Sequence, residues 1–205
     1  MSRVTPLRRE DLPELEDVFK RVERALGFVP NSFFAMARAP GILRAFSMLS
    51  REVIGVPGKV PLPLKRLVAL MASYTTGCMY CTAHTAESAA EVDGVPADKV
   101  AAIMQYEDSP LFSAAERAAL RVAQGAATVP NAVSDGDMQE LKKHFSEDQV
   151  VELVAAVCLF GWLNRWNDTM ATTLESGPLA FGEKHMAAGG WRPGKHGPGQ
   201  DAGGN

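Results

Sequence analysis

Gly77-Cys78-Met79-Tyr80-Cys81-Thr82-Ala83-His84 is the stretch on which the reading of this chain turns. A step of three residues along a helix rotates by about 300°. Cys78, Cys81 and His84 therefore fall one above another on a single slanted face. Two thiols so placed can close a small disulfide ring, and an imidazole beside them can take a thiol's proton. Just upstream, Leu64, Leu67, Val68, Leu70 and Met71 recur at helical spacing over 63–75. Thr75-Thr76-Gly77 interrupts that pattern, and the spacing predicts a new helix from Cys78 to about Val92.

Working outward, the remaining signals are also helical. Leu12, Leu15, Val18, Phe19, Val22 and Leu26 are spaced as one helix over 9–26. Shorter helices are expected over 31–38 and 41–54, with a Pro/Gly-rich connection from Gly55 to Pro63. Another runs from Val95 to about Tyr106. Ser113 with Glu116 matches a capping box, as does Ser146 with Gln149, which opens a long apolar helix over 147–173. A short amphipathic helix over 135–145 and a last helix over 178–188 complete the set. Strand signals are weak throughout. The fold expected is all-α, a compact multi-helix bundle in one domain over 1–188. The Gly/Pro-rich polar tail, 189–205, has little to bury and is expected to be mobile.

Composition narrows the classes of function. In 205 residues, 46% are hydrophobic and 22% charged, with a formal net charge of −3, an ordinary globular balance. No basic stripe with interleaved aromatics suggests nucleic acid as a partner. No apolar run has the length of a membrane span, and the first residues lack a secretory h-region, so the expected location is cytoplasmic. In a reducing compartment a close cysteine pair is either a metal site or a transient redox couple. Zinc ordinarily takes four ligands, often from two such pairs, and there is no second pair here. No metal or cofactor is expected. Cys158, within the apolar run Val154–Phe160, reads as a buried, inert thiol.

The redox reading needs a thiolate, since a free thiol, with a pKa of about 8.5, is mostly protonated at neutral pH. A helix beginning near Cys78 would favour a thiolate through its free N–H groups. His84, one turn beyond Cys81, is placed to act as base or charged partner. The expected cycle is attack of one thiolate on a hydroperoxide O–O bond, condensation of the sulfenic acid with the second thiol, and reduction of the disulfide by an external dithiol. A short internal echo sets 66–70 on 152–156 at an offset of 86, which places Cys78 on Asn164 and Cys81 on Asn167.

With the whole run Gly77–Thr85 in view, the segment resembles the redox-active branch of the carboxymuconolactone decarboxylase / alkyl hydroperoxidase D-like superfamily, whose signature is of GCxYCxxHT type. Ala37–Phe46 is similar to that family's entry helix, and Phe160–Thr169 to the late helix of its longer members. The resemblance implies an all-helical homo-oligomer and a thiol-dependent peroxidase with Cys81 peroxidatic, Cys78 resolving and His84 in the proton relay. Two departures accompany it. The best-known members have one more residue between the second cysteine and the histidine. They also carry a glutamate where this chain has Arg66, and an arginine stays charged and accepts no proton. Arg66 can instead stabilise a thiolate or pair with Glu87. The candidate acids are Glu87, one turn past His84, and Glu152, in the apolar helix at the repeat-equivalent of Arg66. Each also reads as an ordinary solvated carboxylate. Asn164 to Asp168 is a polar cluster, read either as helix packing or as pocket lining with Trp162 and Trp166 as apolar walls.

Three functions follow from these readings. One is a hydroperoxide-reducing peroxidase. Another is a non-redox lactone decarboxylase or isomerase using His84 and an acid. The third is a non-enzymatic oligomer whose disulfide senses redox state.

Overall fold

The computed structural model describes residues 2–198. Among them there are ten α-helices and no strand: α1 Glu16–Leu26, α2 Asn31–Met36, α3 Pro40–Ser50, α4 Leu62–Thr75, α5 Met79–Glu87, α6 Ala97–Ala101, α7 Ala114–Ala127, α8 Asp135–His144, α9 Glu147–Met170 and α10 Ser176–Phe181. No helix is long and apolar enough to cross a membrane.

Helix α4 is the hub, packed against α5, α7 and α9. Leu67 to Ala72 are buried on every side, which is why this stretch is apolar all round rather than striped. Predicted capping boxes at Ser113 and Ser146 form, and Ser134 with Asp137 makes a third at the start of α8. Helix α9, the longest element, then runs across the core and forms one wall of the site.

The interruption at Gly77 is a Schellman close of α4. Cys78 N–H donates to Ser73 O at 3.2 Å and Gly77 N–H to Tyr74 O at 3.0 Å. Gly77 has φ +73°, the left-handed conformation that a glycine adopts without a Cβ penalty. Cys78 thus ends one motif and caps the next, since it is also the N-cap of α5.

Some boundaries differ from the sequence expectation. Residues 9–15 are two single 3₁₀ turns rather than helix, because Pro13 supplies no N–H to continue the pattern. The predicted helix to Val92 is α-helical only to Glu87 and widens into a π turn over Ser88–Val92. Cys158 is exposed, not buried: it lies on the outer stripe of α9 with Val151, Val154 and Trp162. A run apolar on all faces conceals which face is outward.

The tail also differs, as far as Pro198. Trp191 and His196 are each 1% exposed, and Gly194–His196 forms a 3₁₀ turn. The Trp191 indole N–H donates to Met79 O at 3.1 Å. Its ring lies so close over Gly182 that a Cβ there would meet it at 2.7 Å. One large apolar side chain is enough to anchor a polar segment. The remainder of the expected mobile tail, 199–205, lies outside the described residues.

Candidate active site

Cys81 and His84 lie on the wall of a cavity of about 420 Å³ enclosed by α1, α2, α3, α5 and α9. Phe33, Phe46, Phe160 and Leu163 make much of its lining apolar, and Arg21, Arg24 and Arg51 add cations. Cys78 does not line the cavity. It sits behind Cys81, one turn back at the helix N-cap and 1% exposed.

Both thiols are free. The neighbouring Cys81 thiol lowers the Cys78 pKa and outweighs the effect of burial. Burial, and then the neighbouring Cys78 sulfur, pushes the Cys81 thiol well up. The opposing influence on Cys81 is Asn167, whose side-chain N–H donates to Sγ at 3.4 Å. The two positions are 86 residues apart, the offset of the internal echo, so the echo's two halves meet at the sulfur.

His84 bonds to Glu175, with Nε2 2.6 Å from Oε2. The Tyr80 hydroxyl donates to Glu175 Oε1 at 2.9 Å, and the Asn31 backbone N–H donates to the same oxygen. Burial raises the Glu175 carboxyl, but His84 and the Asn31 N–H together pull it below its ordinary value. Tyr80 is fully enclosed, and burial followed by the Glu175 charge pushes its hydroxyl well up, so it remains a donor. The Tyr80 ring lies 4.3 Å from that of His84, with Phe28 at 5.7 Å. His84 is therefore fixed by one carboxylate and two aromatic rings.

The other predicted residues fall in different places. Arg66 borders the cavity, but its ion pair is with Asp93 at 2.9 Å, not with Glu87. Glu87 is half-buried and close enough to His84 and Glu175 to feel both; burial raises its pKa, against the pull of His84. Glu152 is far from the thiols. It bonds Lys65 at 2.7 Å and accepts from the N–H groups of Lys59 and Val60. Trp162 and Trp166 do not wall the cavity: they stack on one another, and Trp162 stacks on the back of Phe46. Phe160, Leu163 and Asn167 are the α9 residues that line it.

Sequence reasoning did not single out Tyr80, Glu175 or His196, and it noticed Asp168 only as the end of the polar cluster from Asn164. Tyr80 stood inside the quoted motif. Glu175 is an acid directly before a helix, the one local signal it carried. Behind Cys78, Sγ, an Asp168 carboxylate oxygen and an imidazole nitrogen of His196 lie within 4.8 Å of one another. Among the described residues this is the one group of three such donors that close together, and a closed structural zinc site takes four.

Comparison with known proteins bears on the family and the fold. Residues 40–125 match the model of the carboxymuconolactone decarboxylase family. The debrominase Bmp8, solved with 2,3,4-tribromopyrrole, is 34% identical with a TM-score of 0.83, covering 90% of this chain and 97% of that one. A peroxidase-related protein of Ralstonia eutropha JMP134, described as an alkylhydroperoxidase AhpD core, shares the fold at 20% identity and a TM-score of 0.76, covering 86% and 94%. The uncharacterized protein YnjA of Escherichia coli (strain K12) is 33% identical over 107 residues, which are 52% of this chain and only 58% of that relative's length. From the motif, the all-helical fold and these matches together, the chain belongs to the carboxymuconolactone decarboxylase family.

Proposed function

We propose that the chain is a dithiol oxidoreductase, delivering two electrons from Cys78 and Cys81 to a substrate bound in the cavity and ending turnover as a Cys78–Cys81 disulfide. The observation that carries this reading is the order of the groups. Cys81 and His84 are on the cavity wall, Glu175 holds His84, and Cys78 is buried one turn behind Cys81. Cys81 attacks, His84 moves the proton, Glu175 and Tyr80 hold His84, and Cys78 resolves.

The first substrate class is a hydroperoxide. Cys81 thiolate attacks the distal oxygen, the O–O bond breaks, and the alcohol leaves with a proton from His84. The Cys81 sulfenic acid condenses with Cys78, releasing water. An external dithiol restores both thiols by exchange. Hydroperoxide and two thiols thus become alcohol, water and a disulfide.

A second substrate class, a halogenated aromatic ring, is favoured by the phenylalanine-lined cavity and by the likeness to the debrominase over nearly all of that chain. The balance is similar. Cys81 thiolate takes the halogen, a proton replaces it on the ring, and Cys78 displaces halide as the disulfide closes.

For assembly we place a second copy on the apolar stripe of α9, with Met48 and Leu49 of α3 beside it. Light scattering after gel filtration tests that placement; a monomer removes it.

The test of function is mass spectrometry of the reduced protein after limiting cumene hydroperoxide or tribromopyrrole. A Cys78–Cys81 disulfide, with alcohol or debrominated pyrrole formed in equal amount, is expected for the true substrate class. No disulfide with either overturns the redox reading and returns the site to non-redox chemistry at His84. A disulfide that changes oligomer size without turnover of a dithiol makes the protein a sensor instead.

A further inference from the structure

We propose that His196 is the base for Cys78: it takes the Cys78 thiol proton so that the thiolate closes the disulfide on Cys81. The proposal rests on the dithiol reading above and adds to it a catalytic residue from the tail.

His196 is 1% exposed and held on several sides. Its backbone carbonyl accepts from Leu174 N–H at 2.8 Å, and its N–H donates to Pro193 O at 3.0 Å. Nδ1 lies 2.8 Å from Thr172 O. A carbonyl only accepts, so Nδ1 carries the hydrogen and Nε2 of the neutral ring presents a lone pair. Nε2 is buried with no hydrogen-bond partner, which is costly for a polar atom unless it has a use.

The groups facing that lone pair are few. From α9, Asp168 Oδ1 lies at 3.5 Å, and Asp168 is itself paired with Lys195 of the tail at 2.7 Å. From α5 come the Tyr80 ring, at 5.9 Å between centroids, and Cys78, whose sulfur lies within 4.8 Å of a ring nitrogen of His196. The Tyr80 hydroxyl is directed away, to Glu175. Cys78 S–H is thus the proton source in reach. Burial keeps the resting ring neutral, against the pull of Thr172 and Asp168. Once the proton moves, the imidazolium has the Asp168 carboxylate and the new thiolate beside it, and the thiolate has the N-terminal N–H groups of α5.

The step balances. Cys78 S–H gives its proton to His196 Nε2, and the thiolate forms the S–S bond with Cys81 as its S–O bond breaks. The hydroxide leaves as water with a proton from His84 or from the imidazolium. The oxidant is the hydroperoxide consumed earlier by Cys81.

The experiment compares the full chain with His196→Asn, whose side-chain N–H replaces Nδ1–H while Nε2 is removed, and with His196→Gln. Reduced protein is quenched at intervals after one equivalent of cumene hydroperoxide. Dimedone adducts at Cys81 report sulfenic acid, and mass spectrometry reports the disulfide. Sulfenic acid formation is expected to stay within about twofold. Disulfide closure near pH 7 is expected to fall by about 10²-fold, the scale of a lost general base. It recovers at about pH 9, where a cysteine ionises unaided. Closure as fast as in the unaltered protein overturns the role of His196 and leaves the dithiol reading standing. Both steps falling together with the melting temperature overturns it as well, in favour of a structural role. Zinc co-purifying at one per chain and lost in His196→Asn overturns it in favour of a metal site. Only the absence of any disulfide in the unaltered protein removes the dithiol reading too.

Discussion

Two sets of thiol, imidazole and carboxylate lie on opposite sides of the first turn of α5. Cys81 and His84 border the cavity, with Glu175 behind His84; Cys78 and His196 are sealed beneath the tail, with the partly exposed Asp168 beside them. On the cavity side the carboxylate holds the imidazole at 2.6 Å, whereas on the sealed side Nε2 is left without a bond. On the proposed mechanism, the first arrangement orients a group that must meet a variable substrate, and the second reserves a lone pair for a single proton in a fixed place. One helix turn would then serve two consecutive steps through opposite faces.

Cys81→Ser has the largest expected effect. Loss of all turnover is expected, and of all oxidation at position 78, as read by dithiol consumption and mass spectrometry; Cys78→Ser instead is expected to accumulate oxidised Cys81. His84→Gln comes next, with turnover expected to fall about 10²–10⁴-fold. A smaller loss than that of closure in His196→Asn would show that the two imidazoles had been ranked in the wrong order.

Glu152→Ala probes an acid belonging to neither set. Lys65, whose side chain is 2% exposed, would keep a buried charge without its carboxylate partner. A loss of about 3–5 kcal/mol in urea unfolding is expected, with turnover per folded molecule unchanged. Glu175→Gln keeps the shape but removes the charge beside His84. About tenfold lower turnover is expected, the worth of one charge-assisted hydrogen bond.

The smallest effect is one of pH. Lys65 and the Lys59 and Val60 N–H groups overcome the cost of burying Glu152 and bring its carboxyl down from 4.5 to about 2. A lowered acid stabilises the fold above its unfolded pKa and loses that contribution as pH falls through the folded one. After discounting for partial exposure, about 1 kcal/mol should disappear between pH 4.5 and about 2, and be absent in Glu152→Gln. An unchanged acid limb in that variant would refute the assignment.

The cavity-side thiol and imidazole were legible in the sequence because they repeat within one helix, where spacing fixes direction. The capping boxes were legible because each is complete within four residues. Glu175 was not, since its partner lies 91 positions away and its own neighbourhood is a short cap. His196 was hidden more deeply. Its segment looks polar and loose, and its burial depends on Trp191 docking over Gly182, which no local period announces. Arg66 and Glu152 drew notice as charges in apolar helices. Such a charge marks a partner to be found, and the partners were Asp93 and Lys65 rather than the thiols.

The Asn167 side chain donates to the Cys81 sulfur. The group touching that sulfur from α9 is a neutral amide, and the thiol stays protonated at rest. A cation there would hold a permanent thiolate, open to any electrophile that strayed in. On the proposed mechanism, an amide leaves the sulfur dormant until an occupant arrives and proton transfer to His84 begins. Selectivity would then come from quiescence rather than from refusal at the entrance, and a generic alkylating reagent should find this motif a poor target.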